Sequence, residues 1–204
     1  MFGRVNIFLD AIYTNFNANF RNCVFYGGIV DLERPGTNTW VLKNNLFDGT
    51  AITTNGTYTA DYNGYTTNLV RLPPWGANDV LLSVANITYD VGALGRYYLP
   101  TNLTSHSVLF NKGSTNANYL GLYHFTTTTN QVKETNSVVD IGFHYVAGNS
   151  SGQPIDNDGD GLPNYYEDAN GNGSVDGGET DWQTYNSLFG IGSGPGLLVF
   201  TPLK

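Results

Sequence analysis

Phe20-Arg21-Asn22-Cys23-Val24-Phe25-Tyr26-Gly27 and Leu42-Lys43-Asn44-Asn45-Leu46-Phe47-Asp48-Gly49 carry one pattern twice, 22 residues apart. In each, an apolar residue is followed by a base, Asn, a variable position, an apolar residue, Phe, a variable position and Gly. A period in the low twenties marks one supersecondary unit stacked on the next. Leucine-rich repeats share that period, but their Leu spacing is absent here. Short strands separated by turns fit better, with like residues stacking from repeat to repeat. Phe25 and Phe47 are then expected inside, about one strand spacing (~4.8 Å) apart. Asn22 and Asn44 are expected at a turn, where Asn tolerates unusual backbone angles and can bond its neighbour's main chain. Ala60-Asp61-Tyr62-Asn63-Gly64-Tyr65 reads as a further, looser repeat.

The composition agrees with strands and turns. Among 204 residues there are 25 Gly, 25 Asn, 22 Thr and 28 aromatics, with only 13% charged residues. Few Ala, Lys and Glu argue against a helical bundle, and Asn, Gly, Thr and aromatics suit short strands joined by tight turns. No segment shows an amphipathic helical face of useful length, and no apolar run approaches a membrane span. At 40% hydrophobic residues the chain is not expected to be disordered. A single cysteine, Cys23, rules out an internal disulfide framework and is expected as a buried wall residue.

Beyond the repeats, residues 80–84 and 86–89 alternate like strands, and residues 94–100 read as an aromatic-rich strand ended by Pro100. Thr126 to Thr129 form a polar strand or loop. Ser107-Val108-Leu109-Phe110-Asn111-Lys112-Gly113-Ser114 and Val138-Val139-Asp140-Ile141-Gly142-Phe143-His144-Tyr145 look like the closing coils of bacterial β-helix proteins. With the two Phe repeats and the Asp61-Tyr62-Asn63 turn, the chain resembles the right-handed parallel β-helix superfamily of pectate-lyase-like proteins over about half its length. The resemblance implies an all-β fold for that part, the terminal coils of a right-handed parallel β-helix; the segment beyond it reads as a small loop module with little regular secondary structure. The expected divisions are coils and cap over 1–146, a linker over 147–155, tandem loops over 156–181 and a tail over 182–204. The chain reads as beginning in mid-pattern, with no signal-peptide pattern at its start, and is expected to be a piece of an exported protein. Gly190 to Pro195 is a flexible stretch, and Leu197-Leu198-Val199-Phe200 an apolar strand.

The charge is local. Eight of the 17 acidic residues fall between Asp156 and Asp181, a stretch without Lys or Arg. The remainder is balanced, so the net charge of −8 must be solvated or neutralised by a cation. No basic cluster exists for a nucleic-acid backbone.

The acidic stretch matches the calcium-loop template D-x-[DN]-x-[DN]-G-x5-E twice. In loop one Asp156, Asp158 and Asp160 take positions 1, 3 and 5, Gly161 position 6, Leu162 offers a carbonyl at 7, Asn164 sits at 9 and Glu167 at 12. In loop two Asp168, Asn170, Asn172, Gly173, Ser174, Asp176 and Glu179 fill the same slots. Calcium takes six to eight oxygens at about 2.3–2.6 Å. Alternate side chains on a curled loop supply three, the Gly makes the sharp turn, and the Glu closes the far side with both oxygens. Two Ca2+ are therefore expected, the second more weakly held because loop two has three carboxylates against four. The loops abut, which does not fit an EF-hand or a dockerin. Only residues 163–167 can form a helical turn, with Pro163 at its first position. The spacing, with Asp-Gly-Leu-Pro, resembles the thrombospondin type 3 repeat of bacterial surface and secreted proteins. Weak structural loops work at extracellular calcium levels, so the expected location is extracellular or cell-surface.

Catalysis is not expected, though it stays open. Arg21 and Lys43 are expected to stack and face outward, with Asp48, Asp61 and Arg71 nearby in sequence, and they read as solvated ladder residues in preference to a lyase base. His106, His124 and His144 show no zinc spacing, and no nucleophile elbow surrounds Ser105. Trp40, Trp75, Tyr97, Tyr98 and Tyr123 are core residues or sugar-stacking platforms. The sequons at Asn86 and Asn102 carry no weight in an Asn/Thr-rich chain. The expected function is a calcium-stabilised extracellular structural or adhesion module, with a polysaccharide or neighbouring surface protein as partner. The alternatives are a fragment of a polysaccharide-degrading lyase or glycoside hydrolase, and a surface-filament subunit that self-assembles through exposed coil ends.

Overall fold

The computed structural model describes residues 2–3, 6–8, 17–32, 39–54, 57–67, 72, 76–102 and 104–186. Arg71, Trp75, the 190–195 stretch and the apolar segment 197–200 lie outside them. The structure is largely β, with parallel sheets and little helix.

Strands follow one another in short runs: β1 (Phe2–Gly3) and β2 (Asn6–Phe8); β3 (Ala18–Arg21), β4 (Val24–Tyr26) and β5 (Ile29–Leu32); β6 (Thr39–Lys43), β7 (Leu46–Asp48) and β8 (Ala51–Thr54); β9 (Thr57–Asp61) and β10 (Gly64–Tyr65); then β11 (Val80–Leu81). Each run distributes its strands over different sheets. The first sheet has the order β1-β4-β7-β10-β11, the second β2-β5-β8 and the third β3-β6-β9. Every pairing within these three sheets is parallel. Phe25 pairs with Phe47, and Phe47 with Tyr65. Their rings stack at 4.8 and 5.2 Å, the expected strand spacing carried into the side chains. Around them Val30, Leu32, Trp40, Leu42, Ile52 and Leu72 form a buried core. The Trp40 option for sugar stacking is thereby lost, since its side chain is fully enclosed.

The turn between the third and first sheets shows why Asn recurs. Asn22, Asn44 and Tyr62 hold the same place in successive repeats, with φ of 51°, 58° and 60°. Asn tolerates this left-handed region; at Tyr62 the position is maintained by hydrogen bonds on either side. The main-chain bonding falls to the next residue along. Asn45 Oδ1 accepts the Cys23 N–H at 3.1 Å, Asn63 Oδ1 accepts the Asn45 N–H at 3.0 Å, and Asp79 Oδ1 accepts the Asn63 N–H at 2.7 Å. These links span 22, 18 and 16 residues, so the repeat shortens along the stack. Cys23 is partly buried, and its Sγ donates to the Arg21 carbonyl. Burial pushes its thiol up, away from thiolate chemistry.

The first sheet is covered on both faces. Phe25, Phe47 and Tyr65 point into the stack, while Val24, Leu46 and Leu82 share a second core with Ile87, Leu99, Leu109 and Ile141. Gly64 makes room for this cover, because a Cβ there would sit 2.8 Å from Leu109 Cδ2 and 3.3 Å from Ile141 Cγ2. Hydrogen bonds fasten it: Ile87 N–H to the Asp48 carboxylate at 3.2 Å, and Ser114 N–H to Asn44 Oδ1 at 2.8 Å. The two segments read as closing coils therefore take another role. Residues 104–109 are a 3-10 helix, and Val138 bridges Asn116 in antiparallel sense. An apolar second face on a parallel sheet has to be buried, and this requirement draws the segments onto the sheet's flank.

The remaining elements are small. β12 (Asp90–Gly92) and β13 (Gly95–Tyr98) form an antiparallel hairpin, and β14 (Phe125–Thr126) pairs antiparallel with β15 (Tyr145–Val146). Tyr98 is buried against Tyr145, with ring centroids 4.2 Å apart. Residues 86–89 form no strand. Residues 147–155 make a tight loop in which Gly148 bridges Pro154 and the Ile155 N–H returns to the Ala147 carbonyl. α1 (Asn164–Glu167) is one turn. Pro163 stands just before it, with ψ of 143°, rather than inside it.

Candidate metal centre

Loop one curls around its own acids. The two oxygens of Asp156 accept the N–H groups of Gly159 at 2.8 Å and Gly161 at 3.1 Å, and Asp158 Oδ1 accepts that of Asp160. Asp160 Oδ1 accepts the Leu162 N–H at 2.8 Å. Gly161, with φ of 95°, makes the turn assigned to the sixth position. One ligand oxygen from each of Asp156, Asp158 and Asp160 lies within 4.8 Å of the others.

α1 delivers Glu167 to the same place. Its side chain is 2% exposed, and both of its oxygens are buried without a hydrogen-bond partner. Asp158 Oδ2 is in the same condition. Burial pushes the Glu167 carboxyl up to about 7; the Thr180 hydroxyl, which stands nearby without completing a hydrogen bond, opposes this, and the charges of Asp158, Asp160 and Asp156 add to the rise. Three buried carboxylate oxygens without donors, beside two more aspartates, are what a hard cation would satisfy. These residues fit such an ion. Asn164 is placed differently: its Oδ1 accepts the Asn157 N–H at 2.8 Å, so it braces the loop. Asn186 was not legible as part of this site. Its N–H reaches Asp160 Oδ2 at 3.3 Å across 26 residues.

Loop two is closed by hydrogen bonds. Asp168 accepts the Asn172 and Gly173 N–H groups at 3.0 and 2.7 Å. Asn170 Nδ2 and Asn172 Nδ2 donate to Asp176 Oδ2 at 2.8 and 2.6 Å, and hold the Asp176 carboxyl below its usual range. Glu179 accepts the N–H groups of Asn170 and Asp176, both at 3.0 Å, and Asn172 Oδ1 accepts that of Ser174 at 2.6 Å. The carboxylates are thus matched by amide donors. An incoming ion would have to turn both Asn side chains so that Oδ1 replaces Nδ2.

The loops rest on the β-rich part. The Gly171 carbonyl accepts the Tyr123 N–H at 3.0 Å, and Asp168 Oδ2 lies 3.0 Å from His124 Nε2. Burial and the Lys133 charge hold His124 down to about 4 against the pull of Asp168, so at neutral pH the carboxylate meets a neutral ring. Trp182 packs on His124 and Tyr123, with Lys133 5.2 Å above its ring.

The candidate catalytic residues of the repeats behave as a ladder. Arg21, Lys43 and Asp61 are in register on the third sheet. Arg21 Nε donates to Asn19, and Lys43 helps to lower the Asp61 carboxyl, although hydrogen bonds from Asn78 do more. Asp48, at the end of β7, is fully buried against the covering segment. All three histidines are buried, two of them against carboxylates. No helix among the described residues is long and apolar enough to cross a membrane. No protein-family model, curated protein or solved structure matches the chain.

Proposed function

We propose that the chain is a calcium-stabilised extracellular structural or adhesion module. In this reading the repeats are coils of a right-handed parallel β-helix, and the acidic segment is a thrombospondin type 3-like pair of loops holding two Ca2+. The observation that carries it is Glu167, buried with both oxygens unpartnered beside the Asp156, Asp158 and Asp160 cluster. Burying a carboxylate without a donor is costly, and a bound cation would offset that cost. The repeat-to-repeat stacking of Phe25, Phe47 and Tyr65 supports the scaffold half of the reading.

Calorimetric titration of the chelator-stripped chain with CaCl2 tests it. Two sites of unequal affinity are expected, with Asp156→Ala removing the tighter and Asp168→Ala the weaker. An absence of binding heat, with a melting temperature indifferent to calcium and chelator, would refute it.

A further inference from the structure

Away from the acidic loops, Thr101, Phe110, Asn111 and part of the 127–140 segment line a cleft of about 460 Å3. That volume is within the range of small-ligand sites, about 300–1,000 Å3. Glu134 and Asp140 lie in its wall, 6% and 7% exposed. Asp140 accepts the Asn111 N–H at 2.8 Å and the Thr127 hydroxyl at 2.5 Å. One Glu134 oxygen lies 3.0 Å from the Ser137 hydroxyl, which is shared with the Glu134 carbonyl at 2.6 Å, and the other meets His144 Nε2 at 3.1 Å and the Asp140 N–H at 3.4 Å. Every oxygen of the pair has a protein partner, so the cleft does not call for a metal ion. The lone pairs that remain can accept further hydrogen bonds.

The rim supplies the opposite function. Asn130 is an exposed residue of the lining; its Oδ1 accepts the Val132 N–H at 3.3 Å and the Thr128 hydroxyl, which leaves its Nδ2 as a donor. Lys133 also lines the cleft, but its ammonium stands 5.6 Å from the Tyr123 ring and 5.2 Å from Trp182, so it does not offer a free cation. Phe110 and the exposed Val132 add apolar surface.

We propose that this cleft binds a neutral saccharide. Sugar hydroxyls both donate and accept, which matches acceptor carboxylates on the wall and a donor amide on the rim. The C–H face of a pyranose matches Phe110 and Val132. Two carboxylates without a free cation disfavour a uronate or a phosphate. The pair is also set unequally. Burial, then the Glu134 charge, pushes Asp140 up to about 6. At Glu134 burial acts upward, but the His144 hydrogen bond and charge bring the carboxyl below its ordinary value. Opposed shifts within a cleft are a pattern that ligand sites share.

The test is titration of the full chain, in excess calcium, with neutral and uronate oligosaccharides of equal length. A neutral member is expected to bind with a Kd of about 1 mM or tighter, and the uronates more weakly. Asn130→Asp keeps the oxygen that accepts from Val132 and Thr128 but removes the Nδ2 donor, and is expected to weaken binding about five-fold. Thr101→Trp, at an exposed rim position, fills the cleft and is expected to abolish binding. Both variants should melt with the parent protein. The proposal is overturned by silence across the neutral panel at about 10 mM, by uronates binding as well as neutral sugars, or by affinity that survives Thr101→Trp. None of these outcomes depends on whether the acidic loops hold calcium, which the metal titration reads separately.

Discussion

Glu167→Gln should change the sign of its effect with calcium. In chelator, the wild-type side chain puts a buried carboxylate without a donor against the charges of Asp156, Asp158 and Asp160. The amide keeps the shape and removes the charge. Relief of a buried, unsatisfied charged group is worth about 1–2 kcal/mol. For a chain of this length that is about 3–6 °C in melting temperature. With calcium the balance reverses. A loop of four carboxylates at the tight end of the extracellular range, Kd about 0.1 mM, gains about 2.7 kcal/mol from 10 mM calcium. Gln cannot close the site with two anionic oxygens, so the variant should forfeit most of that gain and melt below wild type by about 2–4 °C. Differential scanning calorimetry at pH 8, with EDTA and with 10 mM CaCl2, reads both arms. A variant less stable than wild type in EDTA, or one that keeps the whole calcium gain, would refute the assignment of Glu167 as a ligand.

Asn172→Asp replaces an Nδ2 donor to Asp176 with a charge; it should lower stability in chelator and tighten the weaker calcium site, read by melting and titration of the same sample. Asn45→Ala deletes bonds to the Phe20 carbonyl, Asn63 Oδ1 and the Cys23 N–H; about 2–4 kcal/mol should be lost in urea unfolding, and a loss under 0.5 kcal/mol would deny the ladder a role. Asp140 is raised to about 6 from 3.8, so the folded state keeps its proton where the unfolded chain has lost it. Its contribution therefore falls as pH rises from about 4 to 6. Asp140→Asn should remove that fall, seen as a narrowing wild-type advantage across the window in calcium-saturated samples.

The legible parts were local ones. Phe25 and Phe47 occupy the same slot of the same pattern, and a parallel register converts that identity into ring stacking. The grouping of Asp156, Asp158 and Asp160 was readable because alternate side chains on a tight curl converge. The cover on the first sheet was not readable. Val24-Phe25-Tyr26 is continuously apolar, and a strand buried on both faces loses the alternation that would say which side faces what. The partners of Val24 and Leu46, Leu109 and Ile141, are settled only by packing. The same holds for Asn186 on Asp160 and His124 on Asp168, which join chain segments with no shared pattern.

The cover also sets a count. Stacked-repeat proteins usually tolerate gain or loss of a repeat, because each unit touches only its neighbours. Here one continuous segment is fastened to the turn before β7 through Asn44, to the end of β7 through Asp48, and to β10 through the space left by Gly64. A repeat inserted between β8 and β9 would move Gly64 one strand away from Asn44 and Asp48, while the chain joining Ile87, Leu109 and Ser114 kept its length. The segment therefore works as a ruler, and the portion of the stack beneath it is held to a fixed number of rungs.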